Sequence, residues 1–469
     1  MESILTLRRL ANIITDAVNT MERVYGQVGM PLPSLDEPFH PQDPAETLRQ
    51  DTEVSAAVKN LMAAAAQISA TVCDPMRTVV NTSHAFLLSS CLLAASELNV
   101  VEILREAEPK GVDAKEIAAA SHTDPGLIAR ILRLLATHHI FREVSPGVFA
   151  NNRISSTLDK GKPSSVLFSN REDRLMGSSG VAALVEHTAG LCGKSGVYLT
   201  DSLLNPSEKR LPYNLACATD EPLFTWMQRP ENRYNLSRFA VAMQGTAATE
   251  PPELIFQGFD WSLLRRGGVL VDVGGGIGHS SLLIAKKYPG LPVVNQDLGP
   301  AIELSKAYWK EHFPAHIDSQ MVEFHVHDFF MPQPVKNAAL FLLRYILHDW
   351  PDAQVGTILK HLRDVALPTT TLVVIEKIQS FASSEEFESS RAQEIPGAAR
   401  PTAAPPLLPN WGAATADLYL YDLNMHVLLG GVERTLEGFY DVLAAARWKL
   451  VEVHHCPGSQ LSHLIAVPL

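Results

Sequence analysis

A chain of 469 residues exceeds what one compact core usually organises, so two or three domains are expected. Its net charge of −12, with no long basic run, argues against a nucleic-acid partner, because displacing counterions needs clustered lysine and arginine. Cys73, Cys91, Cys192, Cys217 and Cys456 are scattered without C-x-x-C spacing, which indicates neither a disulfide framework nor a zinc site and fits a reducing compartment.

From the N-terminus, Ser3 to Val28 sets Leu5, Leu10, Ile13, Ile14, Val18 and Met21 on one helical stripe. Arg8 and Arg9 interrupt the apolar positions that a signal peptide would need, so none is expected. Five prolines between Pro31 and Pro44 stop the helix and predict an extended linker. A second helix follows from about Thr52 to Thr71, and residues 1–75 read as a helical arm. Ala85 to Val101, the most apolar stretch, contains Glu97 and is too short to span a bilayer, so a cytoplasmic protein without a membrane partner is expected.

Thr78 to Leu158 reads as helices followed by a hairpin. Thr123-Asp-Pro-Gly opens a helix with an N-cap and an early proline, and Phe141-Arg-Glu-Val-Ser-Pro-Gly-Val-Phe is strand, turn, strand. This is the pattern of a winged helix, which raises a DNA-binding regulator as one function class. The helix that would enter the major groove carries only Arg130 and Arg133, which argues against that class.

Leu223 to Met243 bridges to a second region, where strand and helix patterns alternate from Pro252 to the C-terminus. Ser380 to Pro409 breaks that alternation. It is rich in Ala, Ser, Glu and Pro without periodicity, and reads as a mobile insertion.

The most informative stretch is Val269 to Ser281, V-L-V-D-V-G-G-G-I-G-H-S-S: strand, tight turn, helix. Gly274, Gly276 and Gly278 let the backbone turn sharply and let a ligand approach it. A dinucleotide fingerprint would need glycine at 279, where His279 stands, and the only Gly-Lys-Ser has Thr188 in place of its first glycine. What remains is D-x-G-x-G-x-G from Asp272.

Downstream stand N-Q-D-L at Asn295 to Leu298, H-D-F-F at His327 to Phe330, L-R-Y-I-L-H-D-W-P-D at Leu343 to Asp352, V-V-I-E-K at Val373 to Lys377 and G-G-V-E-R-T at Gly430 to Thr435. In this order the chain, over roughly residues 76–469, resembles the plant and fungal small-molecule O-methyltransferases of the caffeate and flavonoid type, in the branch that tailors fungal secondary metabolites. The resemblance implies an α/β protein. A doubly wound, Rossmann-like methyltransferase domain over 216–469 would follow an all-helical winged-helix dimerisation domain over 76–215. It also implies a homodimer, S-adenosylmethionine as methyl donor, an aromatic small-molecule acceptor and no metal. Two other function classes stay open: a scaffold that binds S-adenosylmethionine without turnover, and the DNA-binding regulator.

Site residues carry over position by position. Asp272, Gly274, Gly276, Leu298, Asp328 and Phe329 match donor contacts. Asp297 ends the second strand roughly 20 residues past the turn, where an acid holds ribose hydroxyls in analogous folds. Arg344 occupies the position of a family lysine, which is not an equivalent donor. A phenol has a pKa of about 10, so the acceptor needs a general base. His348, after the apolar strand Ala339 to Leu347, matches the family's catalytic histidine, and Glu376 and Glu433 match the carboxylates that flank it. Asp349 is either a neighbour in that chemistry or a turn cap. His325, His327 and Asp328 admit a metal reading, but histidine suits a hard magnesium ion poorly. Phe239 and Met243, one helical turn apart, match the pair that sandwiches the acceptor, and Tyr345, Trp350, Asn424 and Met425 are further pocket walls. Leu428 stands where lignin-type members carry asparagine, so a more apolar, polycyclic phenol is expected.

Overall fold

The computed structural model describes residues 2–248, 250, 252–264, 268–383 and 394–469, and the chain divides into two compact units, 1–251 and 252–469. The first unit opens with α1 (Glu2–Gln27), which packs against α2 (Thr52–Val72) as a hairpin. Asp51 caps α2 by accepting the N–H groups of Glu53 and Val54, and the linker is tied down where Arg153 pairs with Glu46 and the Tyr25 hydroxyl donates to the Ala45 carbonyl at 3.0 Å.

Next come α3 (Pro75–Ser83), α4 (Ala85–Glu97) and α5 (Val100–Arg105), then β1 (Val112–Asp113), α6 (Ala114–Ser121), α7 (Pro125–Thr137), β2 (Arg142–Ser145) and β3 (Val148–Ala150). Asp124 caps α7 through the Leu127 N–H at 2.7 Å, with proline in the first turn as the sequence requires. The three strands form an antiparallel sheet in the order β1-β3-β2, so the winged helix is not all-helical. Leu104, Ile117, Leu132, Leu135, Phe141 and Phe149 make its core. Met76, Val79 and Phe86 are exposed along Pro75–Glu97, which is long and apolar enough by length and composition to cross a membrane.

The resemblance starts the methyltransferase domain at residue 216, and the compact units divide between residues 251 and 252. The reason is α8 (Val181–His187), against which α9 (Arg233–Ala248) packs within the first unit. Glycine permits that approach: a Cβ at Gly180 would stand 2.6 Å from the Val241 carbonyl oxygen.

The second unit is a seven-stranded sheet: β4 (Val269–Val273), β5 (Val293–Asp297), β6 (Val322–Val326), β7 (Ala338–Arg344), β8 (Thr371–Lys377), β9 (Trp448–His455) and β10 (Leu461–Pro468), in the order β6-β5-β4-β7-β8-β10-β9. Only β10 runs against its neighbours. Five helices matter for the site: α10 (His279–Lys287), α11 (Gly299–His312), α12 (Asp352–Val365), α13 (Ala416–Leu429) and α14 (Leu436–Ala445). The strands are apolar on both faces, with Val271, Phe341 and Val374 in one core layer and Leu270, Leu342 and Val373 in the other, as a sheet covered on both sides requires. Strand order reverses direction between β4 and β7, and that switch point opens a crevice at the carboxyl ends of the strands.

The segment expected to be mobile is packed from Glu394 onward, whereas Phe381 is exposed. Residues 384–393 lie outside the described residues. From Glu394 onward Ile395, Ala403 and Leu407 are buried, the Pro396 carbonyl accepts the Val453 N–H of β9 at 2.9 Å, and Arg400 donates to the Ile378 carbonyl. The backbone thus covers the edge strand of the sheet, a reason for order that composition does not reveal.

Candidate active site

The glycine turn after β4 is shaped by what surrounds it. Gly274, Gly276 and Gly278 all have positive φ, at 69°, 58° and 75°. A Cβ at Gly274 would lie 2.6 Å from Ile346 Cδ1 and 3.4 Å from Phe329, whereas one at Gly276 would meet nothing within 4 Å. The turn is therefore closed beneath and open above. Asp297, at the end of β5, accepts the Gly276 N–H at 2.8 Å and the Leu298 N–H at 2.7 Å, which joins the two strand ends into one rim. Burial pushes the Asp297 carboxyl up, and the two N–H groups oppose it. Below, Asp272 is buried with Oδ2 unpartnered, and burial pushes it up to about 6 against Ser281 and Arg344. Arg344 donates to Ser280 at 3.0 Å. Asp328 accepts the Phe330 N–H at 2.9 Å, and Phe329 and Phe330 pack edge-on to Trp350 at 6.0 and 4.7 Å.

A second cluster stands beyond β7. The strand ends at Arg344, short of the expected Leu347, because Tyr345 adopts a positive φ of 55° and Leu347–Asp349 turns as a 3₁₀ helix. Glu376, fully buried at the end of β8, holds this turn: its Oε1 accepts the N–H groups of Ile346 at 2.9 Å and Leu347 at 2.8 Å. The ring of His348 is held from elsewhere, by Glu433 Oε1, 2.8 Å from Nδ1. Asp349 Oδ1 lies 3.5 Å from Nε2. Thus only one of the two expected flanking carboxylates bonds the imidazole, and the other fixes its backbone. His348, Glu376 and Glu433 offer ligand atoms within 4.8 Å of one another, but Nδ1 and Glu376 Oε1 are already engaged.

Four titratable groups this close share protons. Burial alone pushes the His348 imidazole down, but Glu376, Asp349 and Glu433 outweigh it and bring it up to about 10. Burial pushes Glu376 up to about 7 and Asp349 up to about 6, with His348 opposing in both cases. The carboxylates around the ring thus favour a proton on His348.

Residues passed over at the sequence level complete the cluster. Arg434, buried at 4% exposure, donates to the carbonyls of Leu347 and Trp350 at 2.7 Å each and to Asp352 at 2.8 Å, and so closes the turn that carries His348. The Val432 N–H donates to the His348 carbonyl at 2.8 Å, and Asp422 of α13 accepts the Glu433 N–H at 2.8 Å. The signal was present in G-G-V-E-R-T, whose arginine stands beside the glutamate.

The expected pocket walls are placed as follows. The Tyr345 ring is 5.5 Å from that of His348, Asn424 and Met425 are half-buried on α13, and Leu428 is buried. In the first unit Phe239 meets His187 and Phe224 edge-on at 5.3 and 5.7 Å, and Met243 is exposed. His325 pairs with Glu323 at 2.8 Å on the surface, and it does not join His327 and Asp328 in a ligand cluster among the described residues.

The strand order, the open glycine turn and the carboxylate at the end of β5 define a methyltransferase that takes S-adenosylmethionine as donor. Its finer class comes from comparison. Residues 80–161 match the O-methyltransferase dimerisation domain and residues 198–395 the O-methyltransferase domain. The chain is 39% identical over 476 residues to an O-methyltransferase of Armillaria gallica, covering 99% of each. It is 35% identical over 475 residues to 4-O-methyltransferase 1 of Phanerochaete chrysosporium, covering 98% of this chain and 99% of that one. Among solved structures, mitomycin 7-O-methyltransferase has the same fold, with a TM-score of 0.63 at 22% identity over 86% of this chain and 99% of that one. The chain belongs to the O-methyltransferase family that carries this dimerisation domain, and it is related to the fungal O-methyltransferases of secondary metabolism.

Proposed function

We propose that this cytoplasmic enzyme methylates a hydroxyl of a polycyclic phenol or aromatic polyketide, with His348 as general base. The observation that carries the reading is the 2.8 Å bond between His348 Nδ1 and Glu433. It fixes the tautomer with the proton on Nδ1, so that Nε2, once deprotonated, holds the lone pair that takes the acceptor's proton. Glu433 then stabilises the imidazolium that results. Glu376 and Arg434 hold the turn from either side, which restricts where Nε2 can be.

S-adenosylmethionine, when bound, supplies a methyl group on a sulfonium, already activated for displacement. Asp297 and the Leu298 backbone would hold its ribose, Gly274, Gly276 and buried Asp272 its methionine part, and Asp328 and Phe329 its adenine. The open space above Gly276 and the unpartnered Asp272 Oδ2 support that fit. Arg344, engaged with Ser280, takes the place of the family's lysine. Tyr345, Trp350, Asn424, Met425 and Leu428 of the second unit would meet the acceptor, and the apolar Leu428 favours a polycyclic ring. His348 acts as base only in its deprotonated form, which the neighbouring carboxylates disfavour.

The test is release of S-adenosylhomocysteine during incubation with a panel of phenols and aromatic polyketides. Release with at least one of them is expected. Binding of S-adenosylmethionine without release across the panel would instead favour the inactive scaffold.

A further inference from the structure

The first unit holds a buried cation that the described residues leave without a counter-charge. Its other buried cations are paired: Lys160 lies 3.4 Å from Glu102, and Arg174 meets Glu97 at 2.9 Å and also Glu186. Arg238 on α9 is 8% exposed and forms no ion pair among the described residues. Its Nη2 donates to Asn235 Oδ1 at 3.0 Å, and its Nε is buried without a partner. Removing an unpaired charge from water is costly, so a guanidinium in this position calls for a ligand.

Its surroundings are built around that group. Gly190 lies in the π-helical turn Thr188–Cys192, and a Cβ there would stand 3.6 Å from Arg238 Nη1. Such turns occur frequently at functional sites. The Tyr234 ring lies 5.6 Å from the guanidinium carbon. His187 is 5% exposed, has Nδ1 buried and unpartnered, and meets the Phe239 ring edge-on. None of these neighbours supplies a negative charge. Burial, with Arg238 adding to it, pushes His187 down to about 4, so the imidazole is neutral, and burial pushes the Cys192 thiol up to about 12. Tyr234 is raised by burial too, and its hydroxyl is engaged with Arg174 at 3.0 Å.

We propose that Arg238, assisted by His187, is a site within the first unit that binds an aromatic oxyanion: a carboxylate or the ionised hydroxyl of an enolised 1,3-diketone. Guanidinium supplies charged donors to the oxygen, neutral His187 one more, and the edges of Phe224 and Phe239 flank an apolar ring.

Calorimetric titration of 2-naphthoate and 2-naphthol into the full chain loaded with S-adenosylhomocysteine tests this without relying on turnover. The native protein should bind 2-naphthoate at least tenfold more tightly than 2-naphthol. Arg238→Met should abolish the preference, and Arg238→Lys should keep part of it. Equal affinities in the native protein, or a preference that survives Arg238→Met, would overturn the assignment. Should Arg238→Met lose S-adenosylhomocysteine binding, the native comparison and Arg238→Lys decide, and a preference unchanged in both Arg238→Lys and His187→Gln counts against the site. Failure of the phenol panel with a retained naphthoate preference would count against the methyl-transfer reading and leave this one standing.

Discussion

A Cβ at Gly431 would collide with the carbonyl oxygen of His348 and stand 2.7 Å from the carbonyl carbon of Asp349. The close approach exists because the strap after α13 must reach the His348 turn to deliver Glu433. Displacing a reacting group by about 1 Å costs about 10²-fold in rate. Gly431→Ala should therefore lower kcat about a hundredfold while S-adenosylhomocysteine binds as before. Undiminished kcat in a folded variant would show that the approach does not position the base.

Base and donor site should separate by mutation. His348→Ala should abolish turnover and change S-adenosylhomocysteine affinity by less than about tenfold, or about 1.4 kcal/mol. Asp297→Ala removes the group that ties Gly276 to Leu298 and should lose donor affinity first. Calorimetric titration reads both, and tenfold weaker binding in His348→Ala would count against the assignment.

The charge state of His348 gives a pH dependence of definite sign. Its pKa is raised from about 6.5 in the unfolded chain to about 10 in the folded one. Between these values the native state binds more protons, so this stabilisation is complete below about pH 6.5 and fades as pH rises towards 10. The Tm advantage of the native protein over His348→Gln should shrink across that interval. Turnover runs the other way, since only the deprotonated ring acts as base. The rise of kcat/KM with pH should move to lower pH in Glu433→Gln, where one of the carboxylates holding the proton is neutral. An unmoved profile is evidence that another group limits the rate.

Arg434 acts on His348 through the chain. Arg434→Met strips donors from two carbonyls and from Asp352, and should cost about 2–4 kcal/mol of stability as well as turnover. Arg434→Lys keeps the charge but not the fork, and should recover stability better than kcat. Parallel recovery of both would indicate a purely structural group.

The 394–409 segment should behave as packed structure. At Gly397, φ is 76° and a Cβ would overlap the Val453 carbonyl of β9. Gly397→Ala should lower Tm by several degrees, a loss of about 2 kcal/mol. Replacing 394–409 with a Gly/Ser linker should lower it further, and an unchanged Tm would return the segment to the status of a free loop.

The sequence alone determined what depends on neighbouring residues. The strand, glycine turn and helix at 269–287, the acid closing β5 and the capped helices of the winged domain are local: backbone freedom, alternation and caps express themselves within a dozen residues. The motif order also marked His348, Glu376 and Glu433 as one group. Which of the two glutamates bonds the ring was decided by tertiary structure, because Glu433 reaches His348 from 85 residues away while Glu376 spends its oxygen on backbone N–H groups. The same holds for Arg434, Gly431 and Arg238, ordinary letters in the chain whose meaning lies in what surrounds them. Composition made 380–409 look like solvent-borne chain, whereas packing on β9 ordered residues 394–409. Periodicity and composition report what a segment can bury. Only the folded chain supplies the surface against which it does so.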